Sequence, residues 1–249
     1  MKLLLTLLAG ILLAPPLFAA ADSSFERQRE SFRSGGRKIN VVTFTPKAPG
    51  KYPGVIVLHS SAGTLVGQGE LEKFAGQLAA RGKVAFVVRY FDRTGTTYAG
   101  SGAIDRHAGV WGETVKHAVD FAAAHPRVRA ESLGIFGFSL GAFLAVAESS
   151  VDPRVDAVVE VSGGIFAGFA PRMRRLPPLL ILHGDADRIV PVQRAYELEK
   201  RARQLGVRPQ MKIYPGANHR LAGAPMNDAR ARALAFFDRQ LDRSAKARR

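Results

Sequence analysis

Several short stretches of the chain are apolar over nearly their whole length, and each ends in residues that favour turns. They are rich in β-branched residues and do not alternate strictly between apolar and polar positions. This pattern is typical of strands that are covered on both faces. The strands are predicted at 39–44, 54–59, 84–89, 133–138, 156–162, 179–184 and 210–215.

Segments of helical length separate these strands, at 69–82, 111–125, 139–150, 191–206 and 226–241. In the second segment, Val115, Ala118, Val119 and Ala122 recur at helical spacing, and Pro126 ends the helix. Strands that alternate with helices predict an α/β fold, in which a mostly parallel sheet carries helices on both faces. Right-handed crossovers between the strands are expected.

The stretch 90–109 is rich in Gly and Thr and has no clear periodicity. We expect a long loop there, and a loop of that length in a compact domain is usually functional or mobile. The sequence shows no internal repeat and no sign of a second domain. Residues 22–249 are therefore predicted to form one domain.

The first residues have the build of a secretory signal peptide. Lys2 precedes an apolar run at 3–13, and small residues follow at 19–21. Because the run is too short to span a bilayer comfortably, we expect residues 1–21 to be a cleaved signal peptide and the domain to be exported to the periplasm or secreted. No stable membrane insertion is expected after cleavage, and an uncleaved anchor is the alternative.

The chain is strongly basic and has no cysteine. Its 249 residues include 36 Lys and Arg against 21 Asp and Glu, which gives a formal net charge of +15. A basic surface can attract anionic surfaces, polymers or substrates, but no run alternates basic and aromatic residues as a nucleic-acid platform does. The absence of Cys from the sequence excludes disulfides, thiol nucleophiles and Cys metal sites.

A serine lies between two glycines in the stretch GFSLG, at the point where a predicted buried strand passes into a helix. A sharp turn of this kind needs small neighbours, which Gly137 and Gly141 supply, and it aims the N–H of Leu140 at whatever the Ser139 hydroxyl attacks. Ser139 is therefore the candidate nucleophile. The pattern alone is short enough to occur by chance, so its partners decide the interpretation.

A serine nucleophile needs a base and an orienting acid, and in this fold class both follow it along the chain. Of the histidines, only His183 and His219 follow Ser139. His183 ends an apolar strand and is interpreted as structural, whereas His219 lies in a loop after the last strand and is the candidate base. Asp185 and Asp187 both qualify as the acid by position; Asp187 is favoured, and Asp185 is interpreted as a turn-forming or capping residue.

The second oxyanion donor is expected in the loop that follows the strand 54–59. The sequence HSSAG is small and polar there, so a backbone N–H near Ser61 is the candidate. His59 is predicted to brace this loop rather than to transfer a proton. A simple turn at Ser60 and Ser61 is the alternative.

These motifs resemble the α/β-hydrolase superfamily and, within it, the dienelactone hydrolase family, over about residues 37–240. The stretches VIVLHSSAG, RGKVAFVVRYFDRTG, LGIFGFSLGAFLA, HGDADRIVP and YPGANH stand in the family's order. The last three are generic to serine hydrolases of this fold, and RYFDRTG favours this family.

The resemblance implies a catalytic triad of Ser139 as nucleophile, Asp187 as acid and His219 as base. It also implies an oxyanion hole formed by the N–H groups of Ser61 and Leu140. The position that matches the family's carboxylate-binding arginine is Arg93, and no metal or organic cofactor is implied.

The chain departs from this family's best-known members at two positions. They carry a Cys nucleophile where this chain has Ser139, and a Glu beside the oxyanion loop where it has Ser60. Because that Glu takes part in activating the thiol, its absence fits a conventional serine mechanism. The expected function is therefore an exported serine hydrolase that cleaves a small ester or lactone through an acyl-enzyme. Arg93 and the 90–109 stretch favour an anionic substrate.

Two alternative functions stay open at this point. One is a peptidase or acyl-aminoacyl hydrolase that uses the same triad. The other is a non-catalytic module of the same fold, whose basic surface binds an anionic polymer or a membrane surface. Reaction with a fluorophosphonate probe would separate the enzymes from the binding module.

Overall fold

A computed structural model of the chain describes residues 24–64 and 67–247, and of 243–247 only the backbone. The predicted signal peptide at 1–21 lies outside the described residues. Within the described ranges, no helix combines the length and the apolar character needed to cross a membrane.

An eight-stranded sheet forms the centre of the molecule, in the order β1-β2-β4-β3-β5-β6-β7-β8. The strands are β1 (Phe25–Ser34), β2 (Arg37–Pro46), β3 (Tyr52–Leu58), β4 (Val84–Val88), β5 (Val128–Phe138), β6 (Val155–Val161), β7 (Leu179–Gly184) and β8 (Gln210–Tyr214). The β1–β2 and β2–β4 pairs are antiparallel, and all neighbouring pairs from β4 to β8 are parallel. The predicted α/β fold with a mostly parallel sheet is confirmed.

Helices cover both faces of the sheet. They are α1 (Gln68–Ala80), α2 (Ser101–Ala124), α3 (Leu140–Ser149), α4 (Gln193–Gln204) and α5 (Ala224–Ala247). One buried cluster joins the sheet to α2, α3 and α4, and a second joins the opposite face to α1 and α5. The helical spacing of apolar residues in α2 predicts its buried side correctly, since Val115 and Val119 are fully buried.

The strand β1 is absent from the sequence prediction. It lies at the edge of the sheet, where most of its side chains are exposed, so it carries no apolar run. Its hairpin with β2 turns through Gly35 and Gly36, whose φ angles of 48° and 77° suit glycine. The spacing of apolar residues therefore does not predict this strand.

The prediction of a long loop at 90–109 is wrong over the second half of that stretch. Residues Tyr90–Arg93 form a short 3₁₀ turn, and α2 already begins at Ser101. The first turns of α2 contain Gly102 and Gly109 and are largely exposed, so neither helix propensity nor an apolar stripe marks them. The first fully buried side chain of α2 is that of Trp111.

The parallel strands bring their carboxyl ends to one edge of the sheet. The loops that follow β3, β5, β7 and β8 carry, in that order, the HSSAG stretch, Ser139, Asp187 and His219. Open α/β sheets bind their ligands at this edge.

Candidate active site

Ser139 occupies a strained turn between β5 and α3. Its φ of 54° and ψ of −120° are unusual for a residue with a side chain. The two flanking glycines make the turn possible: a Cβ on Gly137 would lie 2.2 Å from the carbonyl oxygen of Gly141, and one on Gly141 would lie 2.5 Å from that of His59. The Ser139 N–H donates to the carbonyl of Val161 at 2.8 Å, which fixes the turn against β6.

His219 lies between the serine hydroxyl and a carboxylate. Its Nε2 is 2.9 Å from Ser139 Oγ, and its Nδ1 is 2.7 Å from Asp187 Oδ2. Because a carboxylate only accepts hydrogen bonds, Nδ1 carries the proton and Nε2 is free to accept from the serine hydroxyl. This arrangement has the contacts of a nucleophile, a base and an orienting acid.

The carboxylate of Asp187 is fully buried and surrounded by donors. Its Oδ1 accepts the N–H groups of Ile189 at 2.8 Å and Val190 at 2.9 Å, while Oδ2 accepts from His219. Three hydrogen bonds, one of them from the candidate base, therefore fix the orientation of this carboxylate.

Asp185, the other acid that follows β7, has a different partner. Its Oδ1 accepts the N–H of Gly216 at 2.7 Å, and its own N–H donates to the carbonyl of Tyr214. Asp185 therefore ties the loop after β8 to the loop after β7. The structure places Asp187, and not Asp185, against His219.

The loop after β3 is braced by His59. The ring is buried, its Nδ1–H donates to the carbonyl of Ser60 at 2.8 Å, and it stacks on the ring of Tyr90 with centroids 4.0 Å apart. Burial lowers the pKa of His59 to about 4, so the ring is neutral near pH 7. These contacts agree with the bracing role predicted from the sequence.

One candidate oxyanion donor, the N–H of Ser61, belongs to this loop, and the other, the N–H of Leu140, lies at the start of α3. The N–H groups of Ser61 and Leu140 donate to no other residue in the described part of the chain. The carbonyl of Ser61 accepts the N–H of Ala99 at 2.8 Å, and the hydroxyl of Ser60 accepts the N–H of Ala62 at 3.2 Å. The loop is thus fixed by its other polar groups.

Ser139 and His219 open into a cavity of about 450 Å³. Ser60 and Ser61 of the loop after β3 also line this cavity. The remaining wall is mostly apolar and includes Leu71, Phe74, Phe136, Phe138, Val161 and Met226. A cavity of this size with few polar groups suits a small organic ligand.

Two arginines line the same cavity. Arg230 on α5 forms an ion pair with Glu70 on α1, and Arg220 directly follows His219. Among the described residues, no carboxylate lies within ion-pair distance of Arg220. The cavity also borders two exposed apolar side chains, Tyr98 and Ile189.

Arg93 lies elsewhere. Its guanidinium donates to the carbonyl of Gly35 at 3.2 Å and contacts the Glu113 carboxylate at 3.4 Å, and it is not among the described residues that line the cavity. Its place in the sequence matches the family's carboxylate-binding position, but its side chain packs on the β1–β2 turn.

Sequence reasoning missed the two arginines of the cavity. Arg220 had a usable signal, because it is adjacent to the candidate base. Arg230 had none, since it is one of several arginines on a helix and only the packing of α5 against α1 brings it to the cavity. Within residues 24–64 and 67–247, no group of three or more His, Cys, Asp or Glu side chains is placed to hold a metal ion.

The fold and the residues at its carboxyl edge define an α/β hydrolase. Residues 39–241 match the family model of the dienelactone hydrolase family, and the chain belongs to that family.

The chain is also similar to curated proteins that are named as thioesterases. The chain is 26% identical to mouse acyl-coenzyme A thioesterase 1 over 151 residues, which cover 59% of this chain and 33% of that protein. It is also 26% identical over 146 residues to the mouse peroxisomal succinyl-coenzyme A thioesterase. The chain spans about a third of the length of these relatives.

Solved structures of similar proteins share the fold. A dienelactone hydrolase-like promiscuous phosphotriesterase from metagenomic libraries has a TM-score of 0.74 at 19% identity, over 87% of this chain and 99% of that one. The Pyrococcus horikoshii acylaminoacyl peptidase has a TM-score of 0.69 at 16% identity, over 88% of this chain and 42% of that one.

Proposed function

We propose that this protein is a serine hydrolase that cleaves a small carboxylic ester, lactone or thioester. Ser139 is the nucleophile, His219 the general base and Asp187 the orienting acid. One observation carries the proposal: His219 connects the serine hydroxyl at 2.9 Å to the buried carboxylate at 2.7 Å.

The reaction proceeds through an acyl-enzyme. Ser139 Oγ attacks the carbonyl carbon while His219 Nε2 takes the hydroxyl proton, and Asp187 stabilises the resulting imidazolium. The tetrahedral intermediate then collapses, and His219 gives the proton to the departing alcohol or thiol. A water molecule, deprotonated by the same nitrogen, attacks the acyl-enzyme, releases the carboxylic acid and restores the serine.

Backbone amides stabilise the oxyanion of the tetrahedral intermediate. The N–H of Leu140 is one donor, and the second comes from the loop after β3 near Ser61. Removal of one such donor typically costs about 3–4 kcal/mol of transition-state stabilisation. The support for this assignment is that Leu140 directly follows Ser139 and that Ser61 lines the same cavity as Ser139. Neither amide donates to another described residue.

The cavity favours a substrate with an apolar group next to the ester carbonyl. Its wall offers Leu71, Phe74 and Phe136 to such a group, and Arg220 supplies a positive charge for an anionic portion of the substrate. The names of the thioesterase relatives support the inclusion of thioesters.

Export is part of the same proposal and rests on the sequence of residues 1–21 alone. N-terminal sequencing of the protein released by an expressing bacterium tests it. A first residue between 20 and 22 supports export, whereas a chain that keeps Met1 contradicts it.

A panel of chromogenic substrates tests the proposed chemistry. An oxygen ester, a thioester and a lactone, each with and without a carboxylate, are compared with an aminoacyl anilide. We expect turnover of the esters or thioesters, whereas preferential turnover of the anilide would support the peptidase alternative. A chain that turns over none of them and does not react with a fluorophosphonate would support the binding module.

A further inference from the structure

We propose that His183 is a positioning residue of this active site, whose Nε2–H holds Asp187 and the loop 187–190 in the orientation that His219 requires. This inference rests on the proposed function of Ser139, Asp187 and His219. His183 itself contacts neither the substrate cavity nor the serine hydroxyl, so its effect passes through Asp187.

His183 lies one residue before the end of β7 and is fully buried, as is the side chain of Asp187. Its Nε2 is 2.8 Å from the carbonyl oxygen of Val190 and 3.2 Å from Asp187 Oδ2. One ring nitrogen therefore faces both the orienting carboxylate and the loop that carries it.

These partners fix the tautomer of His183. A carbonyl and a carboxylate oxygen only accept hydrogen bonds, so Nε2 must carry the hydrogen. Nδ1 is buried and has no hydrogen-bond partner among the described residues, so a second proton there would find no acceptor. His183 is consequently a neutral donor, in agreement with the burial that lowers its pKa.

Two hydrogen bonds of Val190 connect the loop 187–190 to Asp187 and to His183. The N–H of Val190 donates to Asp187 Oδ1, while the carbonyl of Val190 accepts from His183. Beyond these bonds, the N–H of Asp187 donates to the carbonyl of Gly184 at 3.3 Å, and the side chain of Ile189 is 72% exposed. His183 thus anchors the loop to β7.

The carboxylate is held in its plane by donors on both oxygens. Two backbone amides bind Oδ1, whereas the imidazoles of His219 and His183 both face Oδ2. Loss of the His183 donor leaves the carbonyl of Val190 unpaired and lets the carboxylate turn away from His219 Nδ1. The proton transfer from Ser139 then loses its orientation, and a small displacement of this kind can cost up to about 100-fold in rate.

Three substitutions of His183 separate the position of the donor from the volume of the side chain. His183→Gln places an amide N–H about where Nε2 lies, His183→Asn places one nearer to Nδ1, and His183→Leu has no donor. His125→Leu is the matched control, because His125 is a largely buried histidine at the end of α2, outside this network.

The measurement is kcat per active site, with sites counted by complete labelling of Ser139 with a fluorophosphonate. We expect kcat to fall about 10- to 100-fold in His183→Leu with KM changed by less than about twofold, because only orientation is lost. His183→Gln should recover to within about threefold of wild type and should exceed His183→Asn. The far-downfield proton resonance of His219 Nδ1–H should persist in the Gln variant and shift or disappear in the Asn variant.

The outcomes are distinguishable from a failure of the proposed function. If the wild-type protein is not labelled at Ser139, the proposed function fails. If it is labelled, equal kcat per labelled site in wild type, His183→Leu and His125→Leu overturns the role of His183. If His183→Leu does not fold, equal values in the Gln and Asn variants overturn it.

Discussion

The hydroxyl of Tyr90 donates a 2.8 Å hydrogen bond to the carbonyl of His59, and the two rings stack with their planes 10° apart. Both side chains are buried, and this contact joins the segment after β4 to the loop after β3. The same carbonyl lies against Gly141 in the turn at the nucleophile. Tyr90 therefore supports the wall of the cavity that carries the candidate oxyanion donor.

Tyr90→Phe removes this hydrogen bond and leaves the ring stack in place. We expect a loss of about 1–3 kcal/mol in the free energy of unfolding, because the buried carbonyl loses its donor, together with a lower kcat. Denaturant unfolding and ester hydrolysis measure the two effects. Tyr214→Phe is the control, since Tyr214 donates to Asp228 instead; an equal effect on kcat in both variants would contradict the role of Tyr90.

Gly141→Ala tests the close approach of α3 to the end of β3. The new Cβ would lie 2.5 Å from the carbonyl oxygen of His59 and 2.7 Å from that of Leu58, both backbone atoms that cannot move alone. We expect a loss of about 2 kcal/mol or more in stability and a loss of activity in the folded fraction. Gly109→Ala is the matched control in α2, where the added Cβ would meet no atom within 4 Å apart from its chain neighbours and the backbone of its own helix. It should stabilise the protein by about 1 kcal/mol. Similar melting temperatures for the two variants would contradict this geometry.

We expect the buried side chain of Glu160 to make the free energy of unfolding depend on pH. It is fully buried on β6, and burial raises its pKa from 4.5 to about 8, while the N–H of Gly163 donates to its Oε2 at 2.9 Å. The folded protein therefore keeps the proton that the unfolded chain releases between pH 4.5 and 8. Stability contributed by the protonated form is fully present below pH 4.5 and is lost as the pH rises to about 8.

The comparison with Glu160→Gln isolates this contribution, because the amide does not titrate. We expect the free energy of unfolding of wild type to fall relative to the variant by about 1.4 kcal/mol per pH unit within that window. Denaturant unfolding at several pH values measures the difference and cancels the contribution of Glu148, whose pKa burial raises to about 7. A difference that does not vary with pH would contradict the buried, protonated state.

Substitutions of Arg220 and Arg93 test which arginine contacts an anionic group of the substrate. Arg220 lines the cavity, whereas Arg93 is the position that the sequence motif favours. Arg220→Ala should weaken the preference for carboxylate-bearing esters over neutral ones by about two- to fivefold, the effect of one exposed charge. Arg93→Ala should leave that preference unchanged and lower stability by about 1 kcal/mol, because it loses the bond to Gly35. Measurements of kcat/KM on matched ester pairs decide this, and a loss of preference in Arg93→Ala alone would contradict the arrangement of the cavity.

Much of the fold could be predicted from the sequence because the parallel strands are covered on both faces. The apolar runs of β3, β5 and β7 have few other interpretations. The edge strand β1 and the first turns of α2 carry little buried surface, so their sequences hold no comparable signal. Their conformation is set by pairing and packing with distant residues.

Some features of the candidate site could likewise be predicted from the sequence, and others could not. Ser139, Asp187 and His219 follow from chain order and from the strands that precede them, and the structure brings them together. The direction of a long side chain does not follow from its position, which is why Arg93 packs on the β1–β2 turn instead of lining the cavity. The second contact of Asp187, with His183, depends on how the loop after β7 folds back.

The most direct measurement compares wild type with Ser139→Ala on a short-chain chromogenic ester, together with fluorophosphonate labelling. We predict a labelled peptide that contains Ser139 in wild type and none in the variant. The kcat of Ser139→Ala should fall at least about 10³-fold, because nucleophile, base and acid act as one unit. An unlabelled wild-type protein, or a variant that keeps wild-type kcat, would contradict the proposed mechanism.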